Sequence, residues 1–203
     1  MQPYQPYLDW IEDQAESMVT TLTAWSNVNS GSSNHAGVAR MAQLCLDTLR
    51  PLGDKAALTP LPPREQVGDT GKVSLMDSPA GVHVTKRRDA PMQVFLGAHL
   101  DTVFPLDSPF QEARRKDNNT LHGPGVADIK GGIVVLCTAL EALERSPFAQ
   151  NIGWEVFLNP DEEIGSPGSH DFLFDCGKRN QLGLIFEPSL PDGTLVSARK
   201  GSA

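Results

Sequence analysis

The sequence predicts an α/β fold, with a central, mostly parallel sheet flanked by helices. Three observations carry this. Apolar runs of strand length, Met92 to Ala98, Trp154 to Leu158 and Leu182 to Phe186, recur through the second half. Between the first two stands a helix-period stripe of Ile129, Ile133, Leu136, Leu140 and Leu143, and strands alternating with helices build parallel crossover units. The first run is broken only by Gln93, as expected of a strand buried on both faces.

The elements follow in chain order. Leu8, Ile11, Ala15, Met18, Leu22 and Trp25 alternate spacings of three and four, one apolar face of an amphipathic helix. Ser26 to Asn34 is almost entirely Ser, Asn and Gly and reads as a loop. A second helix is predicted from Gly37 to Arg50, with Val38, Met41, Cys45 and Leu49 inward and Pro51 and Gly53 ending it. Residues 54–91, rich in Pro, Gly and charge, read as edge strands and turns, with Val82 to Lys86 as one β-prone piece. No internal repeat is evident.

Composition narrows the function. Hydrophobic residues make up 39% of the 203, and counting the 18 Gly lifts this to about 48%, the range of a packed globular chain. Lys and Arg number 17 against 25 Asp and Glu, so nothing recommends nucleic acid or an anionic membrane as a partner. The surplus acid serves either solubility or the gathering of cations. Cys45, Cys137 and Cys176 form no CxxC pair, which fits reduced thiols and a cytoplasmic location. The first cation is Arg40, so the positive start of an export signal is missing. No apolar run approaches the roughly 18 residues of a membrane span.

The polar residues that punctuate the strands carry the chemistry. His99 and Asp101 end the first strong strand, Asp161, Glu162 and Glu163 follow the second, and Glu187 ends the third. Asp128 opens the helix after the turn Gly123-Pro124-Gly125. Open α/β sheets gather ligands at these strand ends, and imidazole with carboxylates is a zinc-binding set. Asp128 has two oxygens and suits a position shared between two ions. Asp101, two residues from His99 on extended chain, is placed to orient the imidazole. In the acidic run, one Glu can bind metal while its neighbour accepts a proton from water. Each feature alone has an ordinary reading: a strand-end His on the surface, an acidic run at a helix start, a glycine turn of purely local use. The pattern GxxxxGK[ST] is absent, which argues against a phosphate cradle.

Four ordered segments then become recognisable: His99-Leu100-Asp101-Thr102-Val103, Gly123 to Gly132, Asn159 to Ser166, and Phe186-Glu187-Pro188. Over residues 7–203 the chain resembles the zinc exopeptidase family of glutamate carboxypeptidase, aminoacylase, peptidase T and succinyl-diaminopimelate desuccinylase, the glutamate carboxypeptidase branch most closely. The resemblance implies hydrolysis of an amide in a small peptide or N-acyl amino acid by water between two zinc ions, with cobalt or manganese as alternatives. It implies His99 and Glu187 on one zinc, Asp128 bridging, Glu163 on the second, Glu162 as general base and Asp101 orienting His99. A cis peptide after Asp128 and a homodimeric full-length enzyme also follow from it.

The family's second zinc is completed by a His far downstream of residue 203. Neither His122 nor His170 lies in such a segment, and both are assigned ordinary polar roles, like His35 and His83. The chain is therefore expected to be the N-terminal part of the catalytic domain, incomplete at its C-terminus. Ser197 to Ala203 would be the strand leading into an inserted dimerisation domain, with that domain and the return segment absent. The competing reading is a non-catalytic metal-binding or interaction module that retains the fold.

Overall fold

A computed structural model describes residues 2–190 and 192–198. In chain order it comprises α1 (Gln5–Asp13), α2 (Ala15–Ser26), α3 (His35–Leu49), β1 (Lys55–Thr59), β2 (Arg64–Val67), β3 (Val73–Met76), β4 (Gly81–Lys86), β5 (Met92–His99), β6 (Arg114–Asp117), β7 (Thr120–His122), α4 (Lys130–Glu144), β8 (Ile152–Asn159), α5 (His170–Arg179) and β9 (Leu182–Ile185). The central sheet runs β1-β4-β8-β5-β9, while β2-β3 and β6-β7 form separate two-stranded ribbons. Ser197 and Ala198 carry no strand, and the rest of the segment expected to lead onward lies outside the described residues.

Side-chain alternation divides the sheet between two layers. Val94, Leu96 and Ala98 of β5 and Trp154, Val156 and Leu158 of β8 join one core with Trp25, the α3 stripe and the α4 stripe. Their neighbours Phe95 and Phe157 face the other way, against Cys176 of α5. This is the period of two expected of strands buried on both faces. The predicted stripe Val38, Met41, Cys45 and Leu49 is wholly buried, and Asn34 caps that helix by accepting from the Gly37 amide at 3.1 Å.

Two sequence expectations change. The sheet is mixed: β5 pairs in parallel with β8 and β9, while β4 runs antiparallel to both β1 and β8. Residues 82–86 are thus an interior strand, one in from the edge. Their alternation hid this, because Val82 and Val84 face the main core while His83 donates toward the buried Glu155 at 2.7 Å on the other face. The N-terminal stripe is also divided between two helices. At the junction the Gln14 amide bonds the Ile11 carbonyl, three residues back, a locally tightened turn.

The parallel part positions the site. His99 pairs in register with Asn159, and Gly97 with Ile185, so β5, β8 and β9 end together. Helix α4 packs directly behind those ends. A Cβ on Gly132 would stand 2.0 Å from the Phe186 carbonyl oxygen, so only glycine allows this approach.

Candidate metal centre

His99 sits at the bottom of the cluster, 1% exposed. Its Nε2 lies 3.0 Å from Asp128 Oδ1, 3.5 Å from Glu187 Oε1 and 3.8 Å from Glu162 Oε2. Its Nδ1 lies 3.0 Å from the Asp101 carbonyl oxygen and 3.4 Å from Asp101 Oδ1. Both atoms facing Nδ1 are acceptors, so a proton on Nδ1 would meet them and leave Nε2 as the nitrogen presented to a cation. The proton on Nε2 is the one a cation would displace.

Asp101 is fully buried and holds more than the ring. Its Oδ1 accepts from the Glu162 amide at 3.0 Å, and its Oδ2 from the Glu163 amide at 3.2 Å and the Ser32 hydroxyl at 2.7 Å. One carboxylate therefore ties the strand end to the acidic run after β8. Asp161 of that run turns away and shapes the loop, accepting from the amides of Gly168 at 2.7 Å and Ser169 at 3.2 Å.

Asp128 opens the approach to α4. The Asp128–Ile129 peptide is cis, as the resemblance implied, and Gly125 has φ of +69°, a left-handed conformation that glycine adopts at no steric cost. Lys130, 1% exposed, reaches back to donate to the carbonyls of Trp25 at 3.2 Å and Val28 at 2.7 Å. Burial pushes its ammonium down to about 8. Lys130 is an anchor for the chain before α3, not a phosphate ligand.

The electrostatics call for a cation. Burial pushes the His99 imidazole down, but the Asp101 hydrogen bond and the charges of Asp101, Glu187 and Glu162 outweigh it and hold the ring up at about 9. Burial and then the neighbouring Asp128 charge raise the Glu163 carboxyl, against the opposing pull of His99. Among the described residues no Lys or Arg pairs with Asp128, Glu162 or Glu163. Ligand atoms of His99, Asp128 and Glu163 lie within 4.8 Å of one another. A displaceable imidazole proton among carboxylates with, among the described residues, no Lys or Arg beside Asp128, Glu162 or Glu163 fits zinc or a similar divalent ion.

The six residues to which the resemblance gives roles, His99, Asp101, Asp128, Glu162, Glu163 and Glu187, thus lie in one neighbourhood, while Asp161 does not join them. His122 packs against Phe110 with ring centroids 4.9 Å apart, and His170 stacks with Phe174, so neither joins the cluster. Sequence reading missed Ser32 and the anchoring work of Lys130. Nothing in a Ser/Asn/Gly loop signals a contact 69 residues away.

Comparison with known proteins gives the family. Peptidase family M20/M25/M40 matches residues 95–200, which include every cluster residue, and the chain belongs to this family. Carboxypeptidase G2 of Pseudomonas sp. (strain RS-16) is 28% identical over 185 residues, 87% of this chain and 40% of that protein. Human carnosine dipeptidase 1 superposes with a TM-score of 0.73 at 20% identity, over 91% of this chain and 41% of that one. The dipeptidase Dug1p of Saccharomyces cerevisiae gives 0.72 at 14% identity, over 90% and 40%. The chain therefore spans about two-fifths of the length of these relatives.

Proposed function

We propose that this chain carries the metal centre of a hydrolase that cleaves an amide bond in a small peptide or N-acyl amino acid. The observation behind it is the buried His99 facing Asp128, Glu187 and Glu162, with Glu163 beside them. His99 and Glu187 would hold one zinc and Glu163 the second, with Asp128 shared between them. Bound there, the pair would supply Lewis-acid activation of the scissile carbonyl and of the attacking water. Glu162, with its side chain 48% exposed, is open to solvent. It takes the proton of the attacking water and returns it to the leaving nitrogen. Asp101 holds His99 and the Glu162–Glu163 backbone in register.

The four assigned ligands give three donors to the first ion and two to the second. Calorimetric titration of this chain should therefore show one tight zinc, lost in His99→Ala. Two equally tight sites would contradict the assignment. The complete reading frame should hydrolyse N-acyl amino acids or peptides ending in glutamate, and chelator should stop it. Glu162→Gln should leave zinc affinity within about threefold but cut turnover by roughly 10²–10⁴-fold. Turnover that ignores chelator would favour the competing non-catalytic reading for this centre. In this reading the residues form the N-terminal part of a catalytic domain, and the complete enzyme is a homodimer. All three cysteines are free and buried, which fits the proposed cytoplasmic location. No helix among the described residues is long and apolar enough to cross a membrane.

A further inference from the structure

The loop before α3 is the sequence feature that the proposed chemistry leaves unused. We infer that Ser32 is a positioning residue for the metal centre, acting through Asp101. This rests on the reading of the His99 cluster as that centre. The Asp101 carboxylate faces four donors: His99 Nδ1 and the Glu162 amide at Oδ1, the Glu163 amide and the Ser32 hydroxyl at Oδ2. Three of them belong to the residues being positioned. The fourth, Ser32, is the shortest at 2.7 Å and is anchored elsewhere.

That anchorage is extensive. The Ser32 amide donates to the Thr102 carbonyl at 3.2 Å, and the Thr102 amide to the Ser30 carbonyl at 3.0 Å. Gly31 bridges Thr102 in parallel, and a Cβ there would stand 2.3 Å from the Phe104 carbonyl oxygen. Asn29 fastens the loop to the Phe104 carbonyl at 3.1 Å and to Gln111 at 3.0 Å. At the other end, Lys130 holds the carbonyls of Trp25 and Val28. The segment 25–34 is thus tied to the chain on both flanks of the cluster, after Asp101 and after Asp128. Its hydroxyls are not interchangeable: those of Ser26 and Ser30 are buried without a hydrogen-bond partner, while that of Ser32 meets the Asp101 carboxylate.

Removing the Ser32 hydroxyl takes a charge-assisted bond from a buried carboxylate. Asp101 is then free to rotate toward its remaining donors, and His99 and the acidic run lose their common reference. Direct partners of metal ligands typically change metal affinity by roughly 10–100-fold, and Ser32, one step further out, acts at the lower end of that range.

The test is zinc calorimetry on the chain with Ser32→Ala, Ser32→Cys and the exposed-site control Ser33→Ala, beside amide spectra of the metal-free proteins. Ser32→Ala should weaken zinc by up to roughly tenfold, and Ser32→Cys, of similar shape but a weaker donor, should fall between it and wild type. The Glu162 and Glu163 amide resonances should move in both, with no metal present, and stay in place in Ser33→Ala. Should the alanine variant unfold, the cysteine variant alone decides. Zinc affinity and both amides unchanged in the Ser32 variants would overturn the inference. A wild-type chain that takes up no zinc would instead overturn the metal-centre reading, and the inference with it.

Discussion

At the scale of single residues, His99 concentrates the most physical chemistry. Its ring is buried, yet the surrounding carboxylates keep it protonated up to about 9 in the metal-free protein. Zinc needs the neutral ring, so binding at pH 7 must expel a proton. Zinc affinity should therefore rise about tenfold per pH unit below about 9 and level off above it. Calorimetry at pH 7 in two buffers of different ionisation enthalpy should report about one proton released per zinc from this ring. Zero release would mean that the ring is already neutral. The same shift has a consequence for the fold. A pKa raised from 6.5 to about 9 contributes stability that is complete below 6.5 and lost as pH rises through about 9. The metal-free melting temperature should decline across that window, and His99→Gln should remove that part of the decline.

At the scale of elements, the site depends on how closely α4 approaches the end of β9. Gly132→Ala would place a methyl 2.0 Å from the Phe186 carbonyl oxygen and 3.1 Å from Ile129 Cγ1. Backbone cannot yield as a flexible side chain does, so the helix and the strand end must separate. The expected cost is about 1–3 kcal/mol in urea unfolding. Zinc affinity should fall as well, because Phe186 precedes the proposed ligand Glu187 and Ile129 follows Asp128. Unchanged stability and affinity would show that the contact is not restrictive. The same elements show how much was legible. Apolar runs exposed β5 and β8, and the stripe exposed α4, because each is buried against the core, while the run of β9 was legible from its apolar residues alone, since they are exposed. The proposed ligands fall at element ends, His99 at the end of β5, Glu163 and Glu187 after β8 and β9, and Asp128 before α4. β4 was not recognised as interior, since His83 satisfies its polarity by pairing with a buried Glu155, which sequence cannot show. Ser32 and Lys130 were missed for the same reason: their partners lie 69 and more than 100 residues away.

At the scale of the whole molecule, the sheet ends very differently at its two sides. β1 closes one edge beside α3, with Ala56 packed against the main core. β9 closes the other, and all four of its residues are exposed, Leu182 at 45%, Leu184 at 44% and Ile185 at 59%. No charged residue interrupts Gln181 to Phe186. Natural sheets usually blunt such an edge with a charge, a proline or a cover, because unpaired amides and carbonyls beside apolar side chains recruit another strand. In the 203-residue chain, that recruitment should come from a second copy. Sedimentation at rising concentration should show species larger than the 22.0 kDa monomer. Leu184→Lys places an ammonium on the edge without touching the cluster residues, and should return the chain to a monomer with zinc affinity intact. A wild-type chain that stays monomeric throughout would mean that the edge is protected by its own geometry. Association that persists undiminished in Leu184→Lys would place the contact elsewhere on the surface.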